Sequence, residues 1–178
     1  MNLEDLVRLS RKEPELEFLV IGAYAVAAHG YVRATFDVDF VVRRSQRDKW
    51  FDRALSAGMD CLGKSDVFAQ FTVSDAEIDG FDLMFVDDKT YDTMVEHAVL
   101  RTFGEVEAPV PSLNHLLALK LHAVKSAPDL RASKDLNDIE ILVRRNELPV
   151  EKPEYEELFR KHGSDEIYQL IRRLVRHG

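Results

Sequence analysis

The hydrophobic pattern of the chain changes period along its length, and each change marks an element. Leu3, Leu6, Val7 and Leu9 recur at near-helical spacing, which predicts a short helix over residues 2–12, closed by Pro14. Glu17 to Ile21 reads as a strand, and Gly22 breaks it. Ala23 to His29 has the small side chains of a helix packed close to a sheet, and Gly30 stops it. Residues 37–42, Asp-Val-Asp-Phe-Val-Val, form the next strand. Side chains alternate between the faces of a strand, so Asp37 and Asp39 share a face while Val38, Phe40 and Val42 point into a core. Arg47 to Ala57 reads as a helix ended by Gly58, with Trp50, Phe51, Ala54 and Leu55 on one face. Val67, Ala69, Phe71 and Val73 alternate with Phe68, Gln70, Thr72 and Ser74, the pattern of a half-buried strand. Residues 80–86 predict a further strand, paired with it through a turn at Ser74 to Gly80. A short helix over Asp88 to His97 and edge strands at Val99–Phe103 and Val106–Val110 complete this part.

After Pro111 the period becomes helical. Ser112 is a good N-cap for a helix over 113–126 carrying Leu116, Leu117, Leu119 and Val124. A second helix is expected from Ser133 to Arg145, and Pro149 and Pro153 mark a linker. Two more helices are expected near 153–162 and 164–177. No internal repeat interrupts this order. The fold class is therefore α/β of the α+β type. A mixed-sheet core over residues 1–111 is followed by a C-terminal helical domain over 112–178.

Composition narrows the function classes. The 178 residues suffice for a sizeable core. A net charge of −8 argues against broad non-specific nucleic-acid binding, although Arg172, Arg173, Arg176 and His177 gather near the C-terminus. The longest apolar stretches, such as Phe18 to Ile21 and Leu116 to Leu119, are far too short to cross a bilayer, so no membrane partner is expected. The first residues lack a basic head and an apolar signal segment. The single cysteine, Cys61, precludes an internal disulfide and fits a cytoplasmic location; it is expected to pack in the core.

The candidate chemistry lies on two of the strands. Asp37 and Asp39 stand on one apolar strand and Asp82 on another, where unpaired carboxylates are costly. If the strands are neighbours, three carboxylates converge. Such a cluster repels itself unless a divalent cation is bound, and hard oxygen donors suit magnesium. Asp82 is preferred over Asp79, Asp87 and Asp88 because it alone lies inside the apolar run. Gly22 ends a strand before a helix, a junction where backbone N–H groups meet a phosphate. Arg33 and Thr35 precede the aspartates at two-residue spacing; Arg33 either pairs with an acid or reaches a phosphate. The histidines form no metal motif and no P-loop is present.

Taken together, Gly22 at a strand–helix junction, Arg33-x-Thr35-x-Asp37-x-Asp39 and a later strand bearing Asp82 resemble the minimal nucleotidyltransferase superfamily, the fold of DNA polymerase beta. Lys120-Leu-His-Ala123 and Arg131-x-x-Lys134-Asp135-x-x-Asp138-Ile139 resemble the motifs of its AbiEii toxin-like branch. The resemblance implies two magnesium ions held by Asp37, Asp39 and Asp82, with Asp82 also placed as general base. It implies a nucleoside triphosphate as substrate, contacted by Gly22, Ala23, Tyr24, Arg33, Thr35, Lys120 and Lys134. The acceptor hydroxyl would belong to RNA such as tRNA, to a protein or to a small molecule, and an antitoxin is a candidate partner. Two other readings stand beside it: a non-catalytic nucleotide-binding partner in a defence or toxin–antitoxin system, and an aminoglycoside-type small-molecule nucleotidyltransferase. The superfamily usually carries Gly-Ser or Gly-Gly after its first strand; this chain has Gly22-Ala23, with the Tyr24 hydroxyl one position later. Lys120 and Lys134 also read as solvated helix lysines. Asp135 and Asp138 share a helix face and are expected to pair with Arg131 or Lys134, fixing the helical domain against the sheet.

Overall fold

The computed structural model describes residues 3–12, 16–35, 37–73, 80–126 and 132–177. Pro14, the Ser74–Asp79 part of the expected turn and Arg131 lie outside the described residues. The chain divides into two compact units: residues 1–25 with 33–112, and residues 26–32 with 113–178.

The first unit is built on a five-stranded sheet of β1 (Leu19–Val20), β2 (Val38–Arg43), β3 (Met59–Lys64), β4 (Phe68–Val73) and β5 (Phe81–Val86), in the order β1-β2-β5-β4-β3. β2 and β5 run parallel, and the other neighbours are antiparallel. One face of this sheet is aromatic. Phe40 lies 4.6 Å from Phe18 and 6.2 Å from Phe81 between ring centroids, and Phe81 stacks on Phe71 at 5.0 Å. The helix α3 (Arg47–Ser56) closes this face with Trp50, 6.1 Å from Phe40, and Phe51, 5.1 Å from Phe71. Burial of such rings is the main stabilising term of the unit.

The first helix, α1 (Leu3–Ser10), is shorter than its pattern predicted, and buries Leu3, Leu6 and Val7. The strand expected over 17–21 pairs only through Leu19 and Val20, although the Ile21 N–H still donates to the Asp39 carbonyl at 2.8 Å. α2 (Gly22–Ala28) and α4 (Asp88–Glu96) sit where the pattern placed them. Asp87 caps α4, its carboxylate accepting from the Thr90 N–H at 2.9 Å. β6 (Val99–Phe103) and β7 (Val106–Val110) form their own two-stranded hairpin rather than edges of the main sheet.

Three expectations are corrected. β3 was not legible, and Cys61 on it is exposed rather than packed. Both follow from its place at the sheet edge, where every residue after Met59 is exposed and no burial period is imposed. Leu55 is exposed, because the buried stripe of α3 runs through Trp50 and Ala54 and each residue turns about 100°.

The second unit is helical: α5 (Leu113–Ser126), α6 (Ala132–Arg145), α7 (Pro153–His162) and α8 (Asp165–His177). Leu117, Leu121, Leu142, Phe159 and Ile171 are buried in it. The segment Val26–Val32 belongs to this unit: Asn146 Nδ2 donates to the His29 carbonyl at 3.0 Å and Asn137 Nδ2 to the Tyr31 hydroxyl at 3.4 Å. The basic C-terminal helix is tied internally. Arg172 and Arg176 both pair with Glu151, and their hydrogen bonds hold its carboxyl below the usual carboxylate range.

Candidate active site

The parallel pairing of β2 with β5 begins at Val38 opposite Phe81, so the next rung sets Asp39 directly opposite Asp82. Neighbouring strands lie about 4.8 Å apart, and opposed residues in a ladder share a face. The two carboxylates therefore stand side by side on the face opposite Phe40, Phe81 and Phe71. Asp82 is buried, at 7% exposure, and Asp39 is half-buried. Asp37 falls one residue short of the ladder and is exposed. The structure thus sets Asp39 beside Asp82 and leaves Asp37 just before the start of β2. No group of three or more metal-ligating side chains is gathered among the described residues.

Gly22 completes the floor beside Asp39. Its φ is +60°, and a Cβ there would stand 1.9 Å from Asp39 Oδ2. Only glycine fits, for conformational and steric reasons together. The next residue, Ala23, is buried. Tyr24 packs edge-on against Phe103 at 6.0 Å. Arg33 and Thr35 lie in the irregular segment before β2: the Arg33 guanidinium donates to the Ala34 carbonyl at 3.4 Å, and the Thr35 hydroxyl to the Asp37 carbonyl at 3.1 Å. That last contact curls the backbone ahead of the aspartates.

The far end of β2 is clamped. Arg43 pairs with Glu17 at 2.6 Å and Asp92 at 2.7 Å, and its guanidinium lies 4.5 Å over the Tyr91 ring. Burial lowers the Arg43 pKa, but the hydrogen bonds to Asp92 and Glu17 outweigh it and raise the value. Burial pushes the Tyr91 phenol up. This clamp joins α4 to the strand that carries Asp39.

Lys120 and Lys134 lie in the helical unit. Lys134 is exposed near the start of α6. Lys120 is buried on α5, and its ammonium donates to Asp135 at 2.8 Å and to Asp138 at 2.6 Å. The partner of the two acids is therefore Lys120, not Lys134, and the pairing ties α5 to α6 within the helical unit rather than helix to sheet. An apolar run places Lys120 on the buried side of its helix, where a flexible amine needs counter-charges.

Gln70 carries no signal of its own in the sequence. It occupies the β4 position opposite Asp82, on the same face as both acids. The alternation in β4 was visible, but the register that sets Gln70 beside Asp82 was not.

Carboxylate oxygens are the hard donors that magnesium takes. Asp39 and Asp82, adjacent on one face, fit such an ion, and the missing Cβ at Gly22 preserves the space against Asp39 Oδ2.

No family model matches the chain, and no curated protein sequence does. Solved structures do. ANT(2'')-Ia in complex with adenylyl-2''-tobramycin superposes with a TM-score of 0.63 at 14% identity, over 90% of this chain and 94% of that one. The lincosamide antibiotic adenylyltransferase LnuA, lincomycin-bound, gives 0.54 at 13% identity, over 80% and 96%. An antigenic nucleotidyltransferase-like protein from Paracoccidioides brasiliensis gives 0.52 at 17% identity, over 96% and 84%. The mixed five-stranded sheet followed by helices superposes on these structures, and the fold of this chain is the nucleotidyltransferase fold.

Proposed function

We propose that the protein is a magnesium-dependent nucleotidyltransferase that moves a nucleotide from a nucleoside triphosphate to an acceptor hydroxyl. The observation that carries this reading is Asp39 opposite Asp82 on the parallel strand pair, with Gly22 closed against Asp39. Asp37, Asp39 and Asp82 are assigned to two magnesium ions. Bound there, the ions would stabilise charge on the attacking and leaving oxygens of an in-line displacement.

The chain's own residues do the rest. Asp82 takes the proton of the acceptor hydroxyl. That oxygen bonds to the α-phosphorus, the bond from phosphorus to the bridging oxygen breaks, and pyrophosphate leaves. The backbone at Gly22 and Ala23 faces the phosphates, since Ala23 brings no hydroxyl. Tyr24, Arg33 and Thr35 flank the nucleotide side. Lys134 is assigned to the triphosphate. Lys120 has a smaller part there, because its ammonium already holds Asp135 and Asp138.

The acceptor is RNA, a protein side chain or a small molecule. Two neighbours in fold carry an adenylylated aminoglycoside or lincomycin, which favours a small-molecule acceptor here. Arg172 and Arg176 of the basic C-terminal helix already pair with Glu151, which weakens the case for a tRNA dock there. The toxin-like branch and an antitoxin partner are part of the proposal on the strength of the Lys120 and Arg131–Ile139 motifs, and a cytoplasmic site of action on that of the single cysteine. The second reading, a nucleotide-binding module without catalysis, is favoured by the buried Ala23.

Incubation with α-labelled nucleotides, magnesium and a mixed extract separates the readings. Transfer of label with release of pyrophosphate is expected, and its loss in the double variant Asp37→Ala, Asp39→Ala. Transfer that survives this double change sinks the site assignment. Nucleotide binding without pyrophosphate supports the binding module instead.

A further inference from the structure

The row of residues that crosses the sheet at Asp39 does not stop at Asp82. β4 pairs antiparallel with β5, and its Gln70 is the register partner of Asp82. Asp82 is thus flanked by Asp39 on one side and Gln70 on the other, all three on one face. Two residues further along β4, Thr72 shares that face and is paired in register with Asp60 of β3. Gln70 and Thr72 are half-buried, whereas Ala69 and Phe71 between and beside them are fully buried on the aromatic face. The alternation is therefore a division of labour within one strand: one set of side chains fills the core and the other continues the polar surface past the acids. Gly80, just before β5, lets the two backbones approach closely: a Cβ there would stand 2.2 Å from the Phe71 carbonyl oxygen of β4.

We propose that Gln70 and Thr72 bind the acceptor, with Gln70 presenting the acceptor hydroxyl to Asp82. This rests on the nucleotidyl-transfer reading. Asp39 and Gly22 lie on the nucleotide side of Asp82, and Gln70 lies on the side that remains. An amide offers one carbonyl acceptor and two N–H donors, and a threonine hydroxyl adds one donor and two lone pairs. That set matches a compound carrying neighbouring hydroxyl or amino groups. It fits the general base, which needs its proton donor held within hydrogen-bond reach.

Label transfer is measured for the wild type and for Gln70→Ala, Gln70→Asn and Thr72→Val, using all four α-labelled nucleotides with magnesium. Tobramycin, lincomycin and total tRNA serve as acceptor probes. Melting curves establish that each variant is folded, and Thr72→Val keeps the test open if a Gln70 variant is not. Loss of one neutral hydrogen bond corresponds to about a two- to tenfold effect. The acceptor KM is expected to rise by about that factor in Gln70→Ala and in Thr72→Val, with partial recovery in Gln70→Asn and an unchanged KM for the nucleotide. Unchanged acceptor KM in folded Gln70→Ala and Thr72→Val overturns the inference alone. So does a nucleotide KM that rises in step with it. Wild-type protein that transfers label neither to these probes nor to any component of the mixed extract overturns the transfer reading and this inference with it.

Discussion

Gly22 and Asp39 meet where only glycine fits at position 22: a Cβ on residue 22 would lie 1.9 Å from Oδ2 of Asp39. Gly22→Ala therefore forces the carboxylate aside and also puts alanine at a φ of +60°. The backbone cost alone is about 1–3 kcal/mol. Thermal melting should show that loss, and calorimetry should show magnesium affinity falling together with it. An alanine variant that melts like the wild type and still binds the ion would mean Asp39 has another position open to it.

The Asp39–Asp82 pair makes a second prediction, this time in the absence of substrate. Two carboxylates on one rung repel, so a cation that joins them should stabilise the fold. Magnesium should raise the melting temperature of the wild type, by an amount equivalent to about 2.7 kcal/mol at a hundredfold excess over Kd. Asp39→Asn or Asp82→Asn should melt higher than the wild type in a chelator and gain little from magnesium. Transfer should fall at least about 100-fold in either, since even residues that only support metal ligands cost 10- to 100-fold. A magnesium-dependent shift that persists in both variants would place the ion elsewhere.

The acids and the core strands were legible because their chemistry conflicts with their surroundings. Asp39 and Asp82 each interrupt an apolar run, and so does Lys120, whose partners the sequence does not identify. The partners depend on helix packing, which no local pattern encodes: Lys120 meets Asp135 and Asp138 across 15 and 18 residues of chain. β3 escaped because an edge strand with one buried residue has no reason to alternate. The importance of Gln70 escaped because it arises from strand order β2-β5-β4, a property of the whole sheet. Local physics selects the elements, and pairing between distant segments completes the site.

Acid should unfold the helical unit in two stages. Burial, with nearby Lys161, His122 and Lys125, lowers the His162 pKa below its ordinary 6.5. The unfolded chain then binds a proton that the folded chain refuses, so stability falls as pH drops below about 6.5 until the depressed folded value is passed. Glu151 acts in the same direction at lower pH: hydrogen bonds from Arg172 and Arg176 lower its pKa, and its stabilisation is full above the usual carboxylate range and lost as pH falls through the depressed value. His162→Gln should flatten the first stage and leave the second, and Glu151→Gln should do the reverse. Melting temperature followed from pH 8 to pH 3 resolves the two. An identical slope near pH 6 in wild type and His162→Gln would assign that stage to another group.

Lys120 is a buried cation that ties α5 to α6. Its side chain is 7% exposed and Asp138 is 0% exposed, so the pair is shut away from water. Removing one member of a buried ion pair leaves the other charge unsolvated, at a cost of about 3–5 kcal/mol, whereas replacing both with apolar groups of similar volume is often neutral. Lys120→Met should therefore destabilise by about that amount in urea denaturation. Adding Asp138→Leu to Lys120→Met should recover part of it, because Asp135 keeps some access to solvent at 13% exposure. The same two variants separate structure from substrate binding. If Lys120 acts only as the tie between α5 and α6, the double variant regains stability and retains nucleotide affinity. If the ammonium also contacts the triphosphate, stability returns in the double variant and nucleotide affinity does not. A single variant as stable as the wild type would contradict the assignment of Lys120 as the tie between α5 and α6.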